Sequence, residues 1–197
     1  MLEPSHSQYL LDTATTSITS HLAGMPSQAP APDQLPAALR REAASFVTLT
    51  IEGRLRGCCG TLEARRALAL DVWHNARTSA FSDPRFLPLT PQEWDRTDLE
   101  ISILSELVPL HSGSEAALLG QLEPGRHGLV IEWQGARATF LPSVWEQLPA
   151  PMDFLRHLKL KAGWPPDFWV GEISAWSYET LVIERSGRSR RQEPGAS

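Results

Sequence analysis

The segment Leu55–Thr61, with the sequence LRGCCGT, constrains the fold of this chain more than any other. It follows Phe46–Ile51, where apolar and polar residues alternate and β-branched residues are frequent, as in a strand with one buried face. Glu52-Gly53 between them is a turn-forming pair. The pattern therefore predicts a β-hairpin whose second strand carries both cysteines and two glycines. Glycines inside a strand mark a bulge or a close approach of other atoms.

Strand geometry places Cys58 and Cys59 on opposite faces, so only one of them faces a given site. Arg56 precedes Cys58 by two residues, which predicts that both lie on one face. A reactive thiol needs a depressed pKa, which a cation, an imidazole or the amides of a helix N-terminus supply. We therefore predict a thiol-centred site at Cys58, where Arg56 and the room beside Gly57 and Gly60 receive a substrate or an anion.

Three further residues are candidates for this site. His127 lies in a glycine-flanked turn and is the predicted general base for Cys58, while Asp83 and Arg85 share another turn and support substrate binding. A helix predicted over residues 65–81 begins shortly after the cysteines, so its positive N-terminal end is expected near the thiol. The structural alternative is that Cys58 is a small buried apolar residue, that Asp83 and Arg85 stabilise a turn, and that His127 bonds the backbone.

The periodicity of apolar residues predicts an α+β protein with a mainly antiparallel sheet and flanking helices. We predict a single domain over 1–184 with an N-terminal helix over 7–23, a Pro- and Ala-rich linker over 26–36 and a core over 44–184. A basic tail over 185–197 is expected to be disordered. Other predicted elements are a short helix starting at the Thr90–Glu93 cap, helices over 114–122, 142–148 and 152–162, and strands over 98–104, 127–133, 136–141 and 176–183.

The composition excludes several classes of function. The net charge of −5 disfavours nucleic acid as a partner, and no apolar run approaches the roughly 20 residues that span a bilayer. Two adjacent cysteines cannot staple a fold, which together with the missing signal pattern predicts a cytoplasmic protein. The six histidines lack HxH or HxxxH spacing, and no phosphate-binding glycine motif occurs. We therefore predict no cofactor and no metal. A metal site assembled from distant residues, such as Cys58, His74 and His127, stays open as an alternative.

Six motifs, in order from about residue 46 to 183, resemble those of the AMMECR domain family. The segment LRGCCGT is similar to the family signature, which usually has an aliphatic residue at the position of Cys59; this favours Cys59 as a core residue and Cys58 as the signature cysteine. The other five matching segments are Asp83–Phe86, Asp98–Leu104, Gly125–Leu129, Phe140–Trp145 and Phe154–Gly163.

The resemblance implies a larger lobe, built from both chain ends around an antiparallel sheet, and a smaller lobe inserted between them. It also implies an association with Memo-like and radical-SAM proteins in a modification system (AmmeMemoRadiSam), which gives a context to the hypothesis of an enzyme or enzyme component with a thiol-centred site at Cys58. The alternative is a non-catalytic protein-binding adaptor, with the signature strand as a structural bulge. Seven tryptophans, which either fill the core or form an aromatic surface, fit both hypotheses.

Overall fold

The computed structural model describes residues 2–26 and 28–187 and contains two compact units. The first unit runs to Leu104 and resumes at Leu181, and the second is the inserted segment Ser105–Thr180. Each unit has a four-stranded sheet, and antiparallel strands and helices alternate along the chain. The predicted α+β class is confirmed, as is the prediction of a larger unit from both chain ends with a smaller one inserted.

The first unit packs helices on one face of its sheet. Apolar residues of β1 and β3, such as Leu49 and Ile101, share one core with Leu10 of α1 and Val72 of α3. The strands follow the order β2-β1-β3-β8. The elements of this unit are α1 (Pro4–Leu22), a 3₁₀ turn (Pro32–Gln34), α2 (Ala37–Arg40), β1 (Ser45–Ile51), β2 (Arg54–Gly60), α3 (Leu68–Phe81), α4 (Pro91–Trp94), β3 (Thr97–Leu104) and β8 (Thr180–Arg185). The predicted linker thus contains one helical turn.

The second unit has its own core, in which the rings of Trp145 and Phe154 stack with centroids 3.8 Å apart. Its elements are β4 (Val108–Leu110), α5 (Glu115–Leu119), β5 (Gly128–Trp133), β6 (Ala136–Phe140), a 3₁₀ helix (Pro142–Glu146), α6 (Pro151–Lys161) and β7 (Ser174–Tyr178), with the strand order β4-β7-β5-β6. Gln134 and Gly135 both have positive φ, which confirms the predicted tight hairpin between β5 and β6.

The single strand predicted over 176–183 is two strands. β7 and β8 belong to different sheets, and Glu179 separates them. The backbone N–H of Ser105 donates to the Glu179 carbonyl, and the Glu179 N–H donates to the Ser105 hydroxyl, so Glu179 leaves the ladder. The predicted disordered tail over 185–197 begins inside a strand, because Arg185 is the last residue of β8. Residues 188–197 of that tail lie outside the described part of the chain.

A stripe of polar residues attaches helix α3 to strand β1. Asp71, Asn75 and Ser79 follow one another at intervals of four, which places them on one helical face. The Asp71 carboxylate accepts from the backbone N–H of Ser45 at 2.9 Å and from its hydroxyl at 2.7 Å. The Asn75 side chain donates to the Ser45 carbonyl at 2.9 Å. Burial raises the pKa of Asp71, although these donors and Arg66 oppose the rise.

The Ser79 hydroxyl connects β1 to β2. It donates to the Val47 carbonyl at 2.7 Å and accepts from the Cys59 N–H at 2.8 Å, where the register pairs these two residues. The last turn of α3, rather than its first, therefore lies against the cysteine-bearing strand. The expected stabilisation of the thiol by a positive helix end is wrong, because α3 begins at Leu68 and presents its negative C-terminal end here.

Replacement Ser79→Ala is expected to lower the free energy of unfolding by about 1–3 kcal/mol, because two buried backbone groups lose their bridging partner. Urea unfolding of the full chain measures this loss. Ser82→Ala is the matched control, since Ser82 is exposed just beyond the same helix. Equal losses in the two variants would contradict the bridging role of Ser79.

Candidate functional site

Strand β2 contains a bulge at Arg56. The register pairs Thr50 with Leu55 and Leu49 with Gly57, so Arg56 is the additional residue. A bulge interrupts the alternation of side chains between the two faces. That Arg56 and Cys58 share a face stays a prediction.

The guanidinium of Arg56 binds helix α4 and the loop before it. It donates to both carboxylate oxygens of Glu93, at 2.8 and 3.0 Å, and to the Leu87 carbonyl at 2.9 Å. The ion pair with Arg56, together with donors from Thr90, holds the pKa of Glu93 at about 2. Because the Arg56 side chain is only 13% exposed and bidentately paired, it stabilises the fold around β2.

Asp83 and Arg85 bind both backbone groups of Cys58. The Asp83 carboxylate accepts from the Cys58 N–H at 2.9 Å, and Arg85 donates to the Cys58 carbonyl at 3.2 Å. The two side chains also form an ion pair at 2.7 Å. The Arg85 bonds and the Cys58 N–H hold the pKa of Asp83 well below its usual range. This pair thus takes the place of a neighbouring strand at the edge of the sheet.

The Cys58 side chain lies on the sheet face opposite α3. Its Sγ is 3.4 Å from the Thr48 hydroxyl. Thr48 is paired with Cys58 across β2 and with Glu100 across β3, which gives a row of thiol, hydroxyl and carboxylate over three strands. All three residues are half-buried. Sequence reasoning missed Thr48, because its pairing with Cys58 depends on the bulge.

Cys59 occupies the other face, opposite the buried Val47. It is half-buried, and its pKa is raised mainly by burial and further by the charge of Asp83. A raised pKa leaves less thiolate at neutral pH. The two cysteines are therefore chemically distinct: the Cys58 Sγ lies beside the Thr48 hydroxyl on one face, and the Cys59 thiol lies beside the Ser79 hydroxyl on the other.

The two glycines of the signature allow close packing. A Cβ at Gly57 would lie 2.1 Å from the Ser79 carbonyl oxygen, and one at Gly60 would lie 2.3 Å from the Phe46 ring. In these directions the glycines therefore serve the contacts of β2 with α3 and β1. Their predicted role in receiving a substrate or an anion stays a prediction.

His127 belongs to the second unit. Its Nδ1 accepts a hydrogen bond from the Glu123 N–H at 3.1 Å, and its carbonyl accepts one from the Trp145 indole at 2.7 Å. While the first bond persists, a neutral His127 carries its proton on Nε2, which makes Nε2 a donor. Its role as a general base for Cys58 stays a prediction.

Residues 2–26 and 28–187 contain neither a cluster of metal-ligating side chains nor a helix that could span a membrane. No three histidine, cysteine, aspartate or glutamate side chains there come together as metal ligands. None of the helices in the same ranges is long and apolar enough to cross a membrane.

The fold and the site define a class of α+β proteins with two units and with a cysteine on an edge strand whose backbone is bound by an Asp–Arg pair. Comparisons with known proteins identify that class. The model of the AMMECR1 family matches residues 11–183. The chain is 34% identical over 184 residues to a protein of Methanothermobacter thermautotrophicus, covering 90% of this chain and 93% of that protein. It is 37% identical over 134 residues to Protein MJ0810 of Methanocaldococcus jannaschii, covering 66% of each.

A solved structure shows the same architecture. The crystal structure of protein PH0010 from Pyrococcus horikoshii matches with a TM-score of 0.86 and 26% identity, over 95% of each chain. The chain therefore belongs to the AMMECR1 family.

Replacement Gly57→Ala is expected to destabilise the protein by about 1–3 kcal/mol or more, because its Cβ would collide with the α3 backbone. Gly171→Ala is the matched control, since a Cβ there meets no atom within 4 Å. Urea midpoints of both variants measure the difference. A stable Gly57→Ala protein would show that β2 does not pack against Ser79 as described.

Replacement Asp83→Asn is expected to lower the free energy of unfolding at pH 7 by about 1–3 kcal/mol. It is also expected to make the free energy of unfolding depend less on pH in the acid range. The pKa of Asp83 is lower in the folded chain than in the unfolded one, so its stabilisation is present above about pH 4 and is lost as the pH falls further. Unfolding free energies measured between pH 7 and pH 2.5 give both effects. The control Asp33→Asn, at an exposed position, should follow the wild-type profile.

Proposed function

We propose that this protein is an enzyme or enzyme component whose reactive group is the Cys58 thiol. One observation carries the proposal: the Cys58 backbone is held on both sides by Asp83 and Arg85, while its half-buried Sγ lies beside the Thr48 hydroxyl. A nucleophile needs this combination of a fixed backbone and an accessible side chain.

The electrostatics around Cys58 indicate which group activates the thiol. The Arg85 guanidinium favours a thiolate, but its ion pair with Asp83 has no net charge, so the two effects largely cancel. The Thr48 hydroxyl can donate a hydrogen bond to a thiolate, and in this proposal it helps to activate Cys58. Arg56, Gly57 and Gly60 serve by fixing the strand.

The proposal includes Memo-like and radical-SAM proteins as partners in a modification system, and a cytoplasmic location. The partners are those that the resemblance to the AMMECR family implies, and the location is the one predicted from the sequence. In such a system Cys58 would be the group that is modified or that carries the substrate. Co-purification of the wild-type chain with each partner, compared with Cys58→Ser, tests this part.

A specific observation also favours the alternative, a non-catalytic adaptor. Leu87 is 83% exposed on the loop that Arg56 binds at the edge of β2, and Leu55 in β2 is also exposed. Exposed apolar side chains on a rigid frame are typical of protein-binding surfaces. In this alternative the signature residues maintain the loop that carries Leu87.

The rate of Cys58 alkylation against pH, measured in a Cys59→Ala background, distinguishes the two functions. An activated thiol predicts a midpoint below the free value of about 8.5. The reciprocal variant Cys58→Ala should react slowly and with a higher midpoint, because burial raises the pKa of Cys59. Thr48→Val should raise the midpoint of Cys58, and His127→Ala tests the predicted base. Absence of reaction until the protein unfolds would overturn the thiol proposal in favour of the adaptor.

A further inference from the structure

Each four-stranded sheet ends in two edge strands, whose unpaired N–H and C=O groups invite pairing with another chain. Three of the four edges carry a protecting device. Asp83 and Arg85 bind the Cys58 backbone on β2. Strand β4 has only three residues, and its central Pro109 has no N–H. On β6, the Thr139 carbonyl accepts a hydrogen bond from Lys161 at 3.0 Å.

The fourth edge, β8, is different. In the part of the chain that the structure describes, no side chain and no loop hydrogen-bonds the backbone of residues 181–184 beyond the pairing with β3. Leu181 and Val182 are 48% and 43% exposed, and they point to opposite faces of the strand. Within the described residues, this edge therefore combines an uncovered backbone with exposed apolar side chains on both of its faces.

We propose that β8 pairs antiparallel with β8 of a second copy of this chain. Every copy carries the same open edge, and a two-fold arrangement uses both edges at once and leaves neither exposed. The result is a continuous eight-stranded sheet across two subunits. A second copy is favoured over an unrelated peptide because the sequence of β8 is self-complementary in one register.

A two-fold axis perpendicular to the sheet keeps each side chain on its face, so a residue can oppose only residues an even number of positions away. An axis through Val182 pairs Val182 with itself, Leu181 with Ile183, and Thr180 with Glu184. All apolar residues of β8 then have apolar partners, and no like charges are opposed.

The neighbouring registers are less favourable. An axis through Leu181 pairs Leu181 with itself but places Glu179 opposite Ile183, so a carboxylate faces an apolar residue. An axis through Ile183 places Leu181 opposite Arg185 and Val182 opposite Glu184, so apolar residues face charges. An axis through Glu184 opposes two carboxylates directly, which is destabilising. The sequence of β8 thus selects the register centred on Val182.

Light scattering of the full chain over a concentration series tests the dimer. We expect twice the mass of one chain, and we expect Val182→Lys to give the mass of a single chain, because two lysines would oppose each other at the axis. Val108→Lys is the matched control, since Val108 is 56% exposed on the protected edge β4, and it should remain dimeric. A wild-type monomer at all concentrations, or a dimer that survives Val182→Lys, would overturn the proposal.

Oxidative cross-linking tests the register and does not depend on whether Val182→Lys folds. In a background without Cys58 and Cys59, Val182→Cys is expected to form a disulfide-linked dimer, because directly opposed strand residues lie within disulfide range. Leu181→Cys should not cross-link, since each introduced thiol would oppose Ile183 of the partner subunit. Cross-linking of Leu181→Cys but not of Val182→Cys would overturn the register.

Discussion

The Ser79 hydroxyl is the contact on which the cysteine-bearing strand depends. It accepts from the Cys59 N–H and donates to the Val47 carbonyl, and it thereby fixes helix α3 against both strands of the hairpin. A buried polar group without a partner costs about 1–3 kcal/mol, so the helix cannot slide by one turn without leaving several such groups. Asp71 and Asn75 bind the backbone N–H and carbonyl of Ser45, and these groups would also lose their partners if the helix moved. This polar stripe sets the position of β2, while the apolar core provides most of the stabilisation.

Once β2 is fixed, most of its distinctive residues have structural partners. Arg56 pairs with Glu93, and Asp83 with Arg85 holds the Cys58 backbone. Gly57 admits the α3 carbonyl and Gly60 admits the Phe46 ring. Each contact belongs to an edge strand, where unpaired backbone groups and bulges must be stabilised by side chains. On the face of β2 opposite α3, the Cys58 Sγ lies beside the Thr48 hydroxyl of β1.

The path of the chain separates the two edge strands of the first sheet. The first unit begins its sheet with β1, β2 and β3, and the chain then forms the whole second unit before it returns as β8. Strand β2 is followed by the segment that contains Asp83 and Arg85, which bind its backbone. Within the described residues, which end at Gly187, no comparable contact binds the backbone of residues 181–184.

Local patterns in the sequence determined the α+β class, the Gln134-Gly135 hairpin and the Thr90–Glu93 cap of α4. These depend on residues close together in the chain. Only the tertiary structure decided the register of β2: a hairpin counted from the Ile51–Arg54 pair would oppose Thr48 to Gly57, and the bulge at Arg56 moves it to Cys58. A bulge adds one residue without a local signature. Packing against α3 likewise decided that the glycines adjoin protein atoms, because that contact joins residues distant in sequence.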